Sequence, residues 1–186
     1  MPVTFDLDEH YRAIGRMIAK KPTHVFISTF GLYAGILDTG QDITLAGDKF
    51  KTKCKDILDI LAKLNVKTDI IVGVADYKSC NKEVPCKSCE DNYARGLIRL
   101  SNHAEYWPGF SWKFSMACHL KCMIFMNKDT NEIYGISGGR NFTNSGWVDS
   151  TIELNADDCK AYLTLFNSLW KQSEDISLES LQDIIK

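Results

Sequence analysis

Three short segments carry side chains suited to phosphoryl transfer. The first is His119-Leu120-Lys121, which opens an apolar run, Cys122-Met123-Ile124-Phe125-Met126. The second is Gly138-Gly139-Arg140-Asn141, followed by Phe142-Thr143. The third is Glu153, inside the segment Thr151-Ile152-Glu153-Leu154. Together they supply a nucleophilic imidazole, a fixed cation, an amide donor and a carboxylate. If 119–126 is a strand, alternation puts His119 and Lys121 on one face, about 6.6 Å apart along it, and a phosphodiester fits across that gap. A neutral imidazole can attack phosphorus and form a phosphohistidine. Lys121 and Asn141 can hold the non-bridging oxygens as charge builds on them. Glu153 is expected to bond the far ring nitrogen of His119 and fix its tautomer. Backbone N–H groups at Gly138 and Gly139 add candidate oxyanion donors, and Arg140 and Thr143 complete the expected substrate-binding set. A lone histidine on a strand is more often a hydrogen-bonded core residue, so the weight lies on the four groups standing in order.

The elements that must position these groups are legible in outline. Tyr11, Ile14, Met17 and Ile18 recur at helical spacing before Pro22. Residues 23–29 and 67–75 are branched, apolar runs that read as buried strands. Between them, Asp48 is expected to cap a helix reaching Leu64, with Phe50, Cys54, Ile57, Leu58, Leu61 and Leu64 on its apolar face. A further helix is expected over about 90–104. Residues 112–117 and 119–126 read as extended, 127–131 as a turn, 132–136 as the return arm of a hairpin, and 148–154 as another strand. Asn155 can cap a helix whose inward face is Tyr162, Leu165, Phe166, Leu169 and Trp170, and a short amphipathic segment at 178–185 ends the chain. Helices alternating with strands, followed by hairpin strands, predict an α/β domain with a mixed sheet flanked by helices, spanning 1–186 as one unit.

This set of residues resembles the phospholipase D superfamily, above all its small nucleases with a single H-x-K motif. The likeness rests on His119-x-Lys121, on Gly138-Gly139-x-Asn141 with Phe142-Thr143, on Glu153, and on the Phe166 to Trp170 pattern of the last helix. Two features depart from the usual motif. Met126 stands where an Asp normally follows the lysine, and Gly139 stands where a Ser is common. The missing Asp, together with a turn before Gly138 that is longer than in the shortest members, points to the restriction-endonuclease-like variant of the motif. The resemblance implies a phospholipase D-like fold and metal-independent hydrolysis of nucleic-acid phosphodiesters, with no cofactor for catalysis. It also implies a homodimer. A second histidine must protonate the leaving oxygen, and His10, His24 and His103 stand in no H-x-K setting, so His119 of each subunit would meet across a two-fold axis. Two rivals stay open: a phospholipid phosphodiesterase, and a nucleic-acid-binding member of the fold without turnover.

Composition narrows the partners. Net charge is -2, which argues against a uniformly basic nucleic-acid binder. The charge is uneven, however: residues 149–186 hold eight acids against three lysines, and the remainder holds 16 acids against 19 Lys and Arg. Lys49, Lys51, Lys53 and Lys55 crowd one stretch, which is either a phosphate-facing stripe or the solvated start of a helix. DNA ranks ahead of RNA as the expected partner. No apolar run approaches the roughly 20 residues of a membrane span, and no amphipathic segment has a basic face, so no membrane is expected. Seven unevenly spaced cysteines do not read as a disulfide framework and fit a reducing, cytoplasmic setting. Cys80, Cys86 and Cys89 have knuckle-like spacing in a loop at 76–91. They are either free thiols or, with His103 as one candidate fourth ligand, a structural zinc site.

Overall fold

The computed structural model describes residues 3–4, 7–30, 38–43, 54–73, 87–115, 117–139 and 150–175. In chain order the elements are β1 (Val3–Thr4), α1 (Leu7–Ala19), β2 (His24–Phe30), β3 (Asp38–Ile43), β4 (Cys54–Asp56), α2 (Ile57–Lys63) and β5 (Lys67–Gly73). They continue with α3 (Lys87–Tyr106), β6 (Phe110–Phe114), β7 (Cys122–Asn127), β8 (Glu132–Gly138), β9 (Thr151–Leu154) and α4 (Ala156–Gln172). Seven strands form one sheet in the order β1-β9-β8-β7-β2-β5-β6, and β3 pairs with β4 apart from it. β2, β5 and β6 run parallel, and the other neighbours run antiparallel. The fold is the mixed α/β sheet with flanking helices that the sequence predicts.

The sheet has an apolar layer on each face. On one face α1, α2 and α3 set Ile14, Ile18, Leu58, Leu61, Leu97 and Leu100 against Val25, Ile27, Ile70, Met123 and Phe125. On the other, α4 sets Cys159 and Phe166 against Phe26, Ile71, Cys122 and Ile124. The central strands β2 and β5 are therefore buried on both sides, and their near-continuous apolar sequences follow from that. Both free thiols beside the H-x-K motif, Cys118 and Cys122, are core residues.

Several local boundaries differ from expectation for identifiable reasons. α2 begins at Ile57, with Cys54–Asp56 in a strand ahead of it, and Asp48 lies outside the described residues. Asp56 is the cap: its Oδ1 accepts from the Leu58 N–H at 2.9 Å, and Arg99 pairs with the other oxygen. Its apolar positions, Ile57, Leu58, Ile60 and Leu61, fill only two turns. α3 starts at Lys87, three residues before the expected start, and runs to Tyr106. In α4 the Asn155 cap holds, with its Oδ1 accepting from Asp158 N–H at 2.9 Å. Leu165, expected inside, is exposed, and Leu163 packs on the core with Tyr162 and Leu169. The turn after β7 is built by Asn127, whose side chain accepts from the N–H groups of Asp129 and Thr130. The expected segment at 178–185 lies outside the described residues.

Candidate active site

His119 and Lys121 lie just before β7, which begins at Cys122. The strand expected from His119 onward is three residues shorter, so alternation does not set this pair. The reason lies in the partners. β2 pairs with β7 only as far as Ser28–Cys122, and its last residue, Phe30, turns its ring to His119. The His119 and Phe30 ring centroids are 4.3 Å apart, and the Lys121 ammonium lies 5.2 Å from the Phe30 centroid. Lys121 Nζ also donates to the His119 carbonyl at 3.2 Å. His119 is exposed and Lys121 half-buried.

This pair stands at the carboxyl ends of the parallel strands β2 and β5, where open α/β sheets present ligand sites. The neighbouring strand ends meet there. Gly138 N–H donates to the Lys121 carbonyl at 3.2 Å, and Ser137 Oγ donates to the same oxygen at 3.2 Å. Gly138 pairs in turn with Thr151, whose hydroxyl bonds His10 Nδ1 at 2.7 Å. The glycine at 138 has a structural cause, since a Cβ there would collide with the Ser150 carbonyl oxygen just before β9. Its N–H is engaged in the sheet in this structure, so it is not an open oxyanion donor. Gly139 follows, exposed, at the end of β8. Asn141, Arg140 and Thr143 lie outside the described residues.

Glu153 is placed away from His119. It pairs with Ile136, which pairs with Met123, so it stands level with a residue four beyond His119, roughly 13 Å along an extended chain. Its carboxylate accepts from Arg16 at 2.5 Å, and Arg16 also reaches Glu9 at 2.6 Å. Both carboxylates push the Arg16 guanidinium up from its already high value. The expected Glu153–His119 hydrogen bond is thus replaced by a strut from β9 to α1. The sequence gives the charge of Glu153 but not the rotation of α1 that brings Arg16 to it.

The metal expectation is corrected in part. Cys80 and Cys86 lie outside the described residues, but Cys89 and His103 stand on one helix, α3. Fourteen residues of helix separate their Cα atoms by about 21 Å, so His103 cannot be the fourth ligand beside Cys89. His103 bonds the Arg99 carbonyl at 2.9 Å through Nδ1 and Asp59 at 3.3 Å through Nε2. With Asp56 it forms a group of three side chains whose ligand atoms all lie within 4.8 Å of one another. Burial pushes the Asp56 carboxyl above its usual range, although Arg99 pulls the other way.

Among the described residues no helix is long and apolar enough to cross a membrane. Trp107 and Phe110 are core residues, and Trp112 packs against that core, so none of the three is a free stacking platform. Burial raises the thiols of Cys118 and Cys122, and raises Cys159 to about 11, which removes these three as nucleophiles near neutrality.

No protein-family profile and no curated protein matches this chain. Solved structures do. Nuc from Salmonella typhimurium, a phospholipase D family member, is similar at a TM-score of 0.53 and 12% identity, covering 88% of each chain. Polyphosphate kinase from Porphyromonas gingivalis is similar at 0.53 and 14% identity, over 90% of this chain and 25% of the kinase. TrmBL2, an archaeal chromatin protein described as showing a novel mode of DNA binding, is similar at 0.51 and 10% identity. That match covers 94% of this chain and 53% of TrmBL2, so the chain spans about half its length. The fold is phospholipase D-like.

Proposed function

We propose that this protein hydrolyses phosphodiester bonds in nucleic acid, DNA before RNA, through a phosphohistidine on His119. The observation that carries this reading is the exposed His119, with half-buried Lys121 beside it, at the carboxyl ends of β2 and β5 within a phospholipase D-like sheet. A His119 ring nitrogen attacks phosphorus, and the bond from phosphorus to the leaving oxygen breaks. His119 of the partner subunit gives that oxygen a proton, then takes one from the water that cleaves the P–N bond. Lys121 and Asn141 hold the non-bridging oxygens. Imidazole and ammonium here fill the roles of nucleophile and charge-stabiliser, so no cofactor and no divalent ion is assigned a step. A homodimer follows from the need for two imidazoles at one phosphate. Arg140 and Thr143 are the proposed substrate contacts beyond that phosphate. A structural zinc at Cys80, Cys86 and Cys89 would need a ligand other than His103, and a cytoplasmic setting fits the free thiols.

The test is nicking of supercoiled plasmid and of single strands in EDTA, with wild type beside His119→Ala. Nicking that persists in EDTA and vanishes in the variant supports the reading. Nicking that survives His119→Ala, or that EDTA abolishes and magnesium restores, refutes it. A strictly monomeric active particle by light scattering refutes the shared site. The DNA-binding description of TrmBL2 favours a second reading, a binder without turnover. Salt-sensitive retention of DNA with no cleavage would select it.

A further inference from the structure

The H-x-K segment is not held by strand pairing. The chain is tethered on either side of it: Cys118 N–H donates to the Ser115 carbonyl at 3.1 Å, and the Lys121 carbonyl accepts from Gly138 and Ser137. Between these points His119 is exposed, and its ring needs a wall if it is to keep one direction. Phe30, the last residue of β2, is that wall, with its ring tilted 51° to the imidazole at 4.3 Å. The same ring takes the Lys121 ammonium at 5.2 Å. Phe30 in turn is placed by Gly73, its register partner on β5. A Cβ at Gly73 would collide with the Cys118 carbonyl oxygen and crowd Phe30 Cδ2 at 3.1 Å. The glycine thus lets the loop before His119 and the Phe30 ring close on the same point.

We infer that Phe30 is a positioning residue for phosphodiester binding and attack: its ring fixes the His119 imidazole and parks the Lys121 ammonium until an anionic phosphate takes it. The inference rests on the proposed phosphodiesterase reading. A π face attracts a cation, and it does so weakly enough that a phosphate oxygen, with full charge and a hydrogen bond, displaces it. An aliphatic side chain of similar size would fill the space but would present no negative face. The role is therefore one of chemistry as well as shape, and it separates Phe30 from ordinary packing.

The experiment compares Phe30→Leu, which keeps the bulk, with Phe30→Tyr, which keeps the ring. The first readout is independent of turnover: the His119 ring-proton resonances, assigned by their loss in His119→Ala. Phe30→Leu is expected to move them downfield by a few tenths of a ppm as the aromatic ring current is lost, and Phe30→Tyr is expected to leave them in place. The second is hydrolysis of bis(p-nitrophenyl) phosphate. Phe30→Leu is expected to lose at least tenfold in kcat with KM changed less than threefold, and Phe30→Tyr to stay within threefold of wild type. Unmoved His119 resonances in folded Phe30→Leu, or leucine and tyrosine variants equal in kcat, would overturn the inference. A wild type that cleaves nothing would sink the proposed function instead, and the resonance shift would then decide the Phe30 contact by itself.

Discussion

Two histidines stand at opposite ends of the same central strands, and they differ in the ways that matter for chemistry. His24 opens β2, is buried, and bonds Asp69 on β5 at 2.7 Å through Nε2. Its ring lies 3.9 Å from that of Phe26, and its Nδ1 is buried with no hydrogen-bond partner. Taken alone, the His24–Asp69 pair looks like the start of a catalytic dyad. It sits, however, at the amino ends of the parallel strands, enclosed by side chains on the α4 face. His119 sits past the carboxyl ends, exposed, beside a lysine and a tilted aromatic ring. A tight hydrogen bond in a sealed site holds a fold together. A looser constellation at an open strand end can admit a substrate.

Exchanging each histidine should split activity from stability, and this is the largest expected effect. His119→Ala is expected to lower phosphodiester cleavage by about 10⁴-fold or more, since the proposed nucleophile is lost. Its melting temperature should stay within about 2 °C, because an exposed ring is removed. His24→Ala should do the reverse. It leaves Asp69 buried with, among the described residues, the Lys67 ammonium at 3.7 Å as its remaining ion-pair partner, and should cost about 3 kcal/mol in urea titration. Activity per folded molecule should stay within about twofold. A stable, inactive His24→Ala would move the active site to the other end of the sheet.

Gly138 tests whether the open end depends on the sheet beneath it. Gly138→Ala puts a methyl group into the Ser150 carbonyl oxygen, a backbone atom that cannot turn aside. Separating β8 from β9 is expected to cost about 3 kcal/mol. It should also disturb Lys121, whose carbonyl accepts from the Gly138 N–H. Circular-dichroism melting and the nicking assay together check this. Melting unchanged from wild type would mean that β9 moves away freely and that the glycine serves the substrate.

Much of this architecture is written locally. The buried runs at 24–30 and 67–73, the hairpin turned by Asn127, and the Asn155 cap all follow from side-chain period and turn chemistry, the two strands lying within two residues of the expected 23–29 and 67–75. What fails to be legible depends on a distant partner. Asp48 and Asp56 both precede apolar residues, and only the approach of Arg99 from α3 shows why Asp56 is engaged. His119 reads as a strand residue because its neighbours are apolar, yet β2 ends its pairing with β7 at Ser28. The place of Phe30 at the end of the first buried run lets it reach the cleft, but its contact with His119 is not local, since 89 residues separate the two rings. The composition that suggested a zinc ligand at His103 carried no information about helix length, and helix length is what removes it.

The thiol on α4 offers a smaller, pH-dependent contrast, because it probes the packing of α4 on the sheet. Burial, with a contribution from Asp158, raises Cys159 from 9.0 to about 11 in the folded protein. The unfolded chain therefore loses this proton first. Stability should be unaffected by Cys159 below about pH 8 and should fall as pH rises from 9 toward 11, by at most about 2 kcal/mol. Cys159→Ala should flatten that part of the curve in urea titrations at successive pH values. An identical alkaline slope in the variant would show that the slope comes from elsewhere, Cys118, Cys122 or Tyr134 among the described residues, since burial raises all three.

Glu153 carries the smallest expected effect and sharpens the comparison most finely, because it asks whether the open end borrows a carboxylate as the sealed end does. In the structure Glu153 serves Arg16, partly exposed, while a second carboxylate, Glu9, keeps Arg16 paired. Glu153→Gln should therefore cost less than about 1 kcal/mol, since exposed ion pairs contribute little. It should leave cleavage within about threefold, and a double-mutant cycle with Arg16→Met should show coupling in stability and none in kcat. A loss of 10²-fold or more in kcat at unchanged stability would mean that the carboxylate leaves Arg16 and turns to His119 when substrate binds. Coupling between Glu153 and His119, absent between Glu153 and Arg16, would then restore the role that its place in the motif implies.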